Sequence, residues 1–206
     1  MASKITKVQP GRGRPRAFDR EKALDRAMKL FWERGYEGTA LDELTAVMGI
    51  STSSLYATFG DKARLFDAAM DRYLVGAGGY FLPILDGEPI VRRAFEQLLR
   101  AVAREATRPG QPVGCMLSTA LTHSSPAAES VRASIANRRH SSRAVLEARL
   151  ERAIAEGELT PDTNAAVLAR FFMTVIQGMT VQARDGASYE DLDAMVEMAL
   201  RAFPPS

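Results

Sequence analysis

Between Thr39 and Lys62 lies a run of side chains that could do directed chemistry. Thr39, Ser51, Thr52, Ser53, Tyr56 and Thr58 bring hydroxyls and Lys62 an ammonium. Such hydroxyls can bond phosphate oxygens or base edges. A second group precedes it. "GRGRPR", Gly11 to Arg16, sets Arg12, Arg14 and Arg16 among glycines and a proline. Residues 1–34 hold ten Lys or Arg against four Asp or Glu, a balance of +6 in a chain whose net charge is +2. A basic N-terminal end on a near-neutral body suits a local polyanion contact.

Groups suited to catalysis are sparse. His123 and His140 are the two histidines and have no metal-ligand spacing to each other or to the single cysteine, Cys115. No phosphate-binding glycine loop and no nucleophile elbow occurs. Neither an enzyme nor a metal or cofactor is expected. One cysteine excludes an internal disulfide and suits a reducing compartment. The N-terminus has no apolar core of signal-peptide type, and no apolar run approaches the roughly 18 residues of a membrane span. A cytoplasmic protein is expected.

The elements that position these groups read as helices. Residues 1–17 lack periodicity and read as a flexible basic arm. From Asp19, which can cap with Phe18 as a hydrophobic staple, Ala23, Leu24, Ala27, Met28, Leu30 and Phe31 recur at three- and four-residue spacing until Gly35. A second helix is predicted from Thr39, its hydroxyl capping and Asp42 completing a capping box, to Gly49. Ser51 opens a third that carries Leu55 and Phe59. Asp61 caps a fourth, running through Leu65, Phe66 and Tyr73 to Val75. Gly76, Gly78, Gly79 and Pro83 read as a looser connection and domain boundary. Helical pattern resumes over 89–107, 113–123, 127–156, 162–184 and 188–203. The fold class is all-α, with about nine helices and no sustained period-two alternation.

Two short helices joined by Met48-Gly49-Ile50 make a helix-turn-helix, with glycine free to take the left-handed turn conformation and Ile50 anchoring it. At this point "GTALDELTAVMGISTSSLYATFGDKARLFDAAMDRYL" resembles the DNA-binding region of the TetR (tetracycline repressor) family of bacterial transcriptional repressors. The likeness rests on Gly38-Thr39, Leu44, Gly49-Ile50-Ser51, Leu55-Tyr56, Phe59, Lys62 and Leu65-Phe66, and spans about residues 16–75. Thr45, Ser53 and Thr58 depart from the family's usual Ala, Gly and His, which obscures the operator sequence.

The resemblance implies domains at 18–60 (helix-turn-helix), 61–75 (connecting helix) and 76–206 (effector-binding and dimerisation). It implies phosphate contacts from Thr39, Ser51, Tyr56 and Lys62, with Thr52, Ser53 and Ala57 near bases. Thr58 completes the hydroxyl face. Arg12-Gly13-Arg14-Pro15 resembles the core of an AT-hook, whose arginines lie along a narrow A·T minor groove. With Arg16 they would add sequence-tolerant, salt-sensitive affinity.

A compact reading head needs a second copy to cover two half-sites of a double-stranded operator. Leu168, Phe171, Phe172, Val175, Ile176 and Met179 form one continuous apolar stripe, and Leu192, Met195, Val196, Ala199, Leu200 and Phe203 another. The resemblance makes these a four-helix homodimer interface. It also implies a cavity for a small-molecule effector whose binding moves the fourth helix. Tyr73, Phe81, Phe95, Leu99, Met116, Thr119, His123 and Phe172 are candidates to line it. Cys115 follows Gly114 near a helix start, as in some family members that respond to electrophiles or oxidants. The expected function is a ligand-released repressor. Alternatives are an architectural A·T-rich DNA-binding protein, a helical ligand-binding module with a vestigial head, and a repressor that senses through Cys115.

Overall fold

Apolar side chains at helical spacing can leave water only by packing one helix stripe on another, and in this chain they do so around two cores. The computed structural model describes residues 19–120 and 128–204. Within them lie ten helices: α1 Arg20–Arg34, α2 Leu41–Met48, α3 Thr52–Phe59, α4 Lys62–Val75, α5 Phe81–Gly87, α6 Val91–Ala106, α7 Met116–Thr119, α8 Glu129–Ala155, α9 Ala165–Arg184 and α10 Tyr189–Leu200. The arm and the Phe18 staple lie outside the described residues.

Local chemistry starts several of these helices. Asp19, Ser51 and Asp61 each accept a backbone N–H of the following turn, from Lys22, Ser54 and Arg64. The start of α2 corrects the expectation. Ala40, not Thr39, is the capping residue, and Glu43, not Asp42, reaches back to accept the Ala40 N–H at 3.0 Å.

The first core gathers Leu24, Phe31, Trp32, Leu44, Leu55, Phe59, Leu65, Phe66 and Tyr73 from α1–α4. Each such burial contributes about 1.5–3 kcal/mol. Met116 and Leu117 of α7 and Val131 and Ile135 of α8 join the same cluster. The head is therefore packed onto the body, not tethered to it. Arg184 of α9 reinforces the joint, donating to the Glu33 carbonyl and to the Thr119 hydroxyl, both at 3.0 Å. The second core unites α5, α6, the C-terminal half of α8, α9 and α10, where the rings of Phe95, Phe172 and Phe203 pack together.

The expected loose connection is tighter than its composition suggests, because it contains α5. A proline is harmless in a first turn, where the N–H would have no intrahelical partner, and Pro83 occupies such a position. The glycines before it allow close approach. A Cβ on Gly78 would stand 2.5 Å from the Tyr73 ring. Arg149, 3% exposed, then pins α5 and α6 to α8. It donates to the carbonyls of Leu85 (3.1 Å) and Pro89 (2.6 Å) and pairs with Glu158, whose other oxygen accepts the Val91 N–H.

The predicted helix at 113–123 is only α7, and residues 121–123 lie outside the described set. By length and composition alone α9 could cross a membrane, against the expectation for this chain. Its Ala165, Leu168, Ala169, Phe172, Met173, Ile176 and Met179 are spent on the second core.

Candidate functional site

The reading element is built from the turn upward. Gly49 holds φ 69° and ψ 36°, a left-handed conformation costly for any residue with a Cβ. Its N–H and that of Ile50 both return to the Thr45 carbonyl, at 3.0 and 3.1 Å. This closes α2 sharply and turns the chain into α3, which packs on the head through Leu55 and Phe59. Leu55 and Phe59 are buried, which leaves Ser51, Thr52, Ser53, Tyr56 and Ala57 exposed and Thr58 half-buried. The Ser51 hydroxyl lies 2.9 Å from those of Ser53 and Ser54. No charge of either sign lies on α3. Its N-terminal N–H groups and hydroxyls thus offer an anion-accepting end uncontested by a carboxylate.

Two expected contacts are differently employed. Thr39 is 1% exposed and donates its hydroxyl to the Gly35 carbonyl at 2.7 Å, so it stabilises the α1–α2 turn instead of facing DNA. Lys62 sits over the Tyr36 ring at 4.3 Å, and burial lowers its pKa against the opposing charge of Glu37. Its ammonium is held on the head, beside the end of α3. Arg12, Arg14 and Arg16 lie outside the described residues.

A cavity of about 390 Å³ opens where the two cores meet. Tyr73 of α4, Tyr80 and Phe81 at the start of α5, and Cys115 form one wall. Met173, Ile176, Gln177 and Thr180 of α9 form another, and α8 supplies Arg138, Arg139, Ser141, Ser142 and Val145. Burial raises the pKa of both Tyr73 and Tyr80, and the neighbouring Cys115 adds to each shift. Both phenols therefore stay protonated, and Tyr73 donates to the Cys115 sulfur at 3.3 Å.

Of the sequence candidates, the structure brings Tyr73, Phe81 and Cys115 to this cavity. It places Phe95, Leu99 and Phe172 fully inside the second core and Met116 inside the first. The Thr119 hydroxyl is committed to the Cys115 carbonyl at 2.8 Å. His123 lies outside the described residues. Sequence reasoning missed Tyr80, Arg138, Arg139 and Gln177. One signal was available for the arginines: the apolar stripe of α8 is broken by "RRHSSR", Arg138 to Arg143.

The expected dimer stripes are likewise corrected. Leu168, Ile176, Met179, Leu192, Val196, Ala199 and Phe203 are already buried within their own chain and cannot serve a second one. Phe171 and Met195 are exposed and Val175 half-buried. With Val167, Val181 and Met198, also exposed, they define an outer apolar face. A Cβ on Gly178, in the same row, would meet no atom within 4 Å, so a second helix could approach closely there.

The arrangement of a helix-turn-helix head on a helical body with an internal cavity has matches among known proteins. The family model described as "Bacterial regulatory proteins, tetR family" matches residues 23–69, and "Tetracyclin repressor-like, C-terminal domain" matches residues 91–199. The chain belongs to the TetR family of transcriptional regulators. It is 36% identical to the HTH-type transcriptional repressor ComR of Escherichia coli (strain K12), over 99% of this chain and 98% of that one. It is 29% identical to the repressor BdcR of the same strain, over 93% and 92%. Among solved structures, a cysteine mutant of the TetR family regulator CifR, complexed with a 26-bp double-strand operator, superposes with a TM-score of 0.90. That match has 44% identity and covers 93% of this chain and 100% of the chain in that structure. TetR-family membership makes the protein a regulator rather than an enzyme, and it accounts for the geometry of Gly49, Ser51 and α3.

Proposed function

We propose that this chain is a repressor that binds a palindromic operator as a homodimer and leaves it when a small molecule fills the cavity. One observation carries the reading. The helix that supports the reading head, α4, is also a wall of the cavity and is tied to α8 by charge. Ser134 of α8 donates to Asp67 of α4 at 2.6 Å, and Arg138, on the cavity wall, pairs with Asp71. A ligand that displaces Arg138 or Tyr73 acts directly on α4. Through the α3–α4 junction at Asp61, it moves α3 relative to its partner's copy. A shift of a few ångströms at each head puts two half-sites out of register. A protein that reads DNA in this way works in the compartment that holds the DNA, here the cytoplasm.

The test is to bind the protein to a genome-wide pool of DNA fragments at two salt concentrations and sequence what is retained. A palindromic motif surviving the higher salt is expected. Enrichment that is A·T-rich, motif-free and salt-labile would instead favour the architectural reading.

Cys115 supports a second route to release, because its thiol stands on the cavity wall and is only partly covered. If it senses, Cys115→Ser keeps operator affinity and loses release by aldehydes or oxidants. Unchanged release in that variant excludes the route.

A further inference from the structure

The α8 helix is apolar where it meets either core, at Val131 and Ile135 and again at Leu146 and Leu150, and, Val145 apart, polar where it faces the cavity. Taking a guanidinium partly out of water is costly unless an anion faces it. Arg149 has Glu158 and Arg138 has Asp67 and Asp71. Arg139 is different. It is half-buried, and it donates Nε to the Leu117 carbonyl at 3.0 Å and Nη2 to the Ser118 carbonyl at 2.8 Å. Among the described residues no carboxylate pairs with it, and residues 1–18, 121–127 and 205–206 contain no Asp or Glu side chain. Burial lowers its pKa, and the facing Cys115 offsets only part of that shift.

The surroundings have the same sign. The cavity's lining includes Arg138 and Arg139 and no Asp or Glu. A second recess of about 360 Å³ shares Arg139, Met173 and Gln177 with it and adds His140, Arg143 and Arg170, again without an acid. The remaining lining is largely apolar and aromatic, from Phe81 and Leu82 of α5 and Ile176 of α9, with Val145 of α8 itself. At the roughly 30 Å³ that a water occupies in the liquid, the cavity has room for about a dozen non-hydrogen atoms.

We propose that the effector is a small amphipathic anion whose charged head pairs with Arg139 and whose apolar body lies against Phe81, Val145 and Ile176. This deepens the effector reading above and rests on it. A carboxylate and a phosphate monoester both satisfy that chemistry. A head seated between the two arginines also competes with Asp67 and Asp71 for Arg138, which links occupancy to α4.

The test uses octanoate, octyl phosphate and neutral octanamide as probes on the full-length protein, reading binding by calorimetry and operator release by fluorescence anisotropy. Octanoate or octyl phosphate is expected to bind at least tenfold more tightly than octanamide, the scale of a charge-assisted hydrogen bond. Which of the two binds better identifies the head group. Arg139→Gln is expected to bring the anion-to-amide ratio close to one, and Arg139→Lys to keep part of it. A merely structural Arg139, holding the end of α7, would lower the melting temperature of these variants without changing that ratio. Should Arg139→Gln fail to fold, the wild-type ratio and the lysine variant still decide. Octanamide binding as tightly as the better-bound anion, or no binding of either anion, overturns the proposal. Release by octanamide as effective as by octanoate would leave the effector cavity standing and remove the anion. Anion binding that leaves the operator complex intact would do the reverse.

Discussion

Deleting residues 1–17 is expected to weaken operator binding on the order of 100-fold near physiological salt and to flatten its salt dependence. The folded head supplies little positive charge of its own. Residues 19–75 contain eight Lys or Arg and ten Asp or Glu. Most of those cations are already engaged: Arg34 with Glu43, Arg72 with Glu21 and Asp25, Arg64 with Asp61, Lys22 with Asp19, and Lys62 on the Tyr36 ring. The first eighteen residues hold five cations and no acid. If Arg12, Arg14 and Arg16 each neutralise a phosphate in both protomers, the slope of log K against log salt falls by about 5. Fluorescence anisotropy on one operator from low to moderate salt measures it. The truncation spares the Asp19 cap of α1, so the melting temperature should hold. An unchanged slope would show that "GRGRPR" is a bystander.

Phe171→Asp is expected to convert the dimer to monomers and to cost roughly 1,000-fold in operator affinity, since two half-sites are then no longer held by one particle. Phe171 stands 40% exposed on the outer row of α9, between Val167 and Gly178, and Met195 and Met198 of α10 are exposed as well. A carboxylate there costs the monomer little and cannot be buried against a second copy without a partner. Sedimentation equilibrium reads the oligomeric state, and far-UV circular dichroism checks that the helices remain. A variant that stays dimeric and binds as before would place the interface elsewhere. Val196→Asp, by contrast, is expected to unfold the chain, because that side chain is wholly inside the second core.

These two expectations also mark what was legible in the sequence. Features written into consecutive residues were readable directly. The turn at Gly49, the caps at Asp19, Ser51 and Asp61, the burial of Leu55 and Phe59 and the outward hydroxyls of α3 follow from local geometry, which needs only a few neighbouring side chains. The family motif reinforced them because the same local geometry must be built wherever such a head is used.

What depended on distant neighbours was not readable. Helix α9 is apolar almost all round, so its stripe through Leu168, Phe172 and Ile176 and its stripe through Val167 and Phe171 look equally fit for an interface. Packing against α6 and α8 decides which one is inside. Thr39 has the residue type of a phosphate ligand but spends its hydroxyl on Gly35. The cavity draws on α4, α5, α7, α8 and α9, segments far apart in the chain, and periodicity within one helix carries no record of what faces it across a gap. Arg138 and Arg139 are adjacent in sequence and alike in chemistry. Only the tertiary structure gives one of them two carboxylates and leaves the other facing a cavity with none, because ion pairs form between helices whose relative placement the whole core sets.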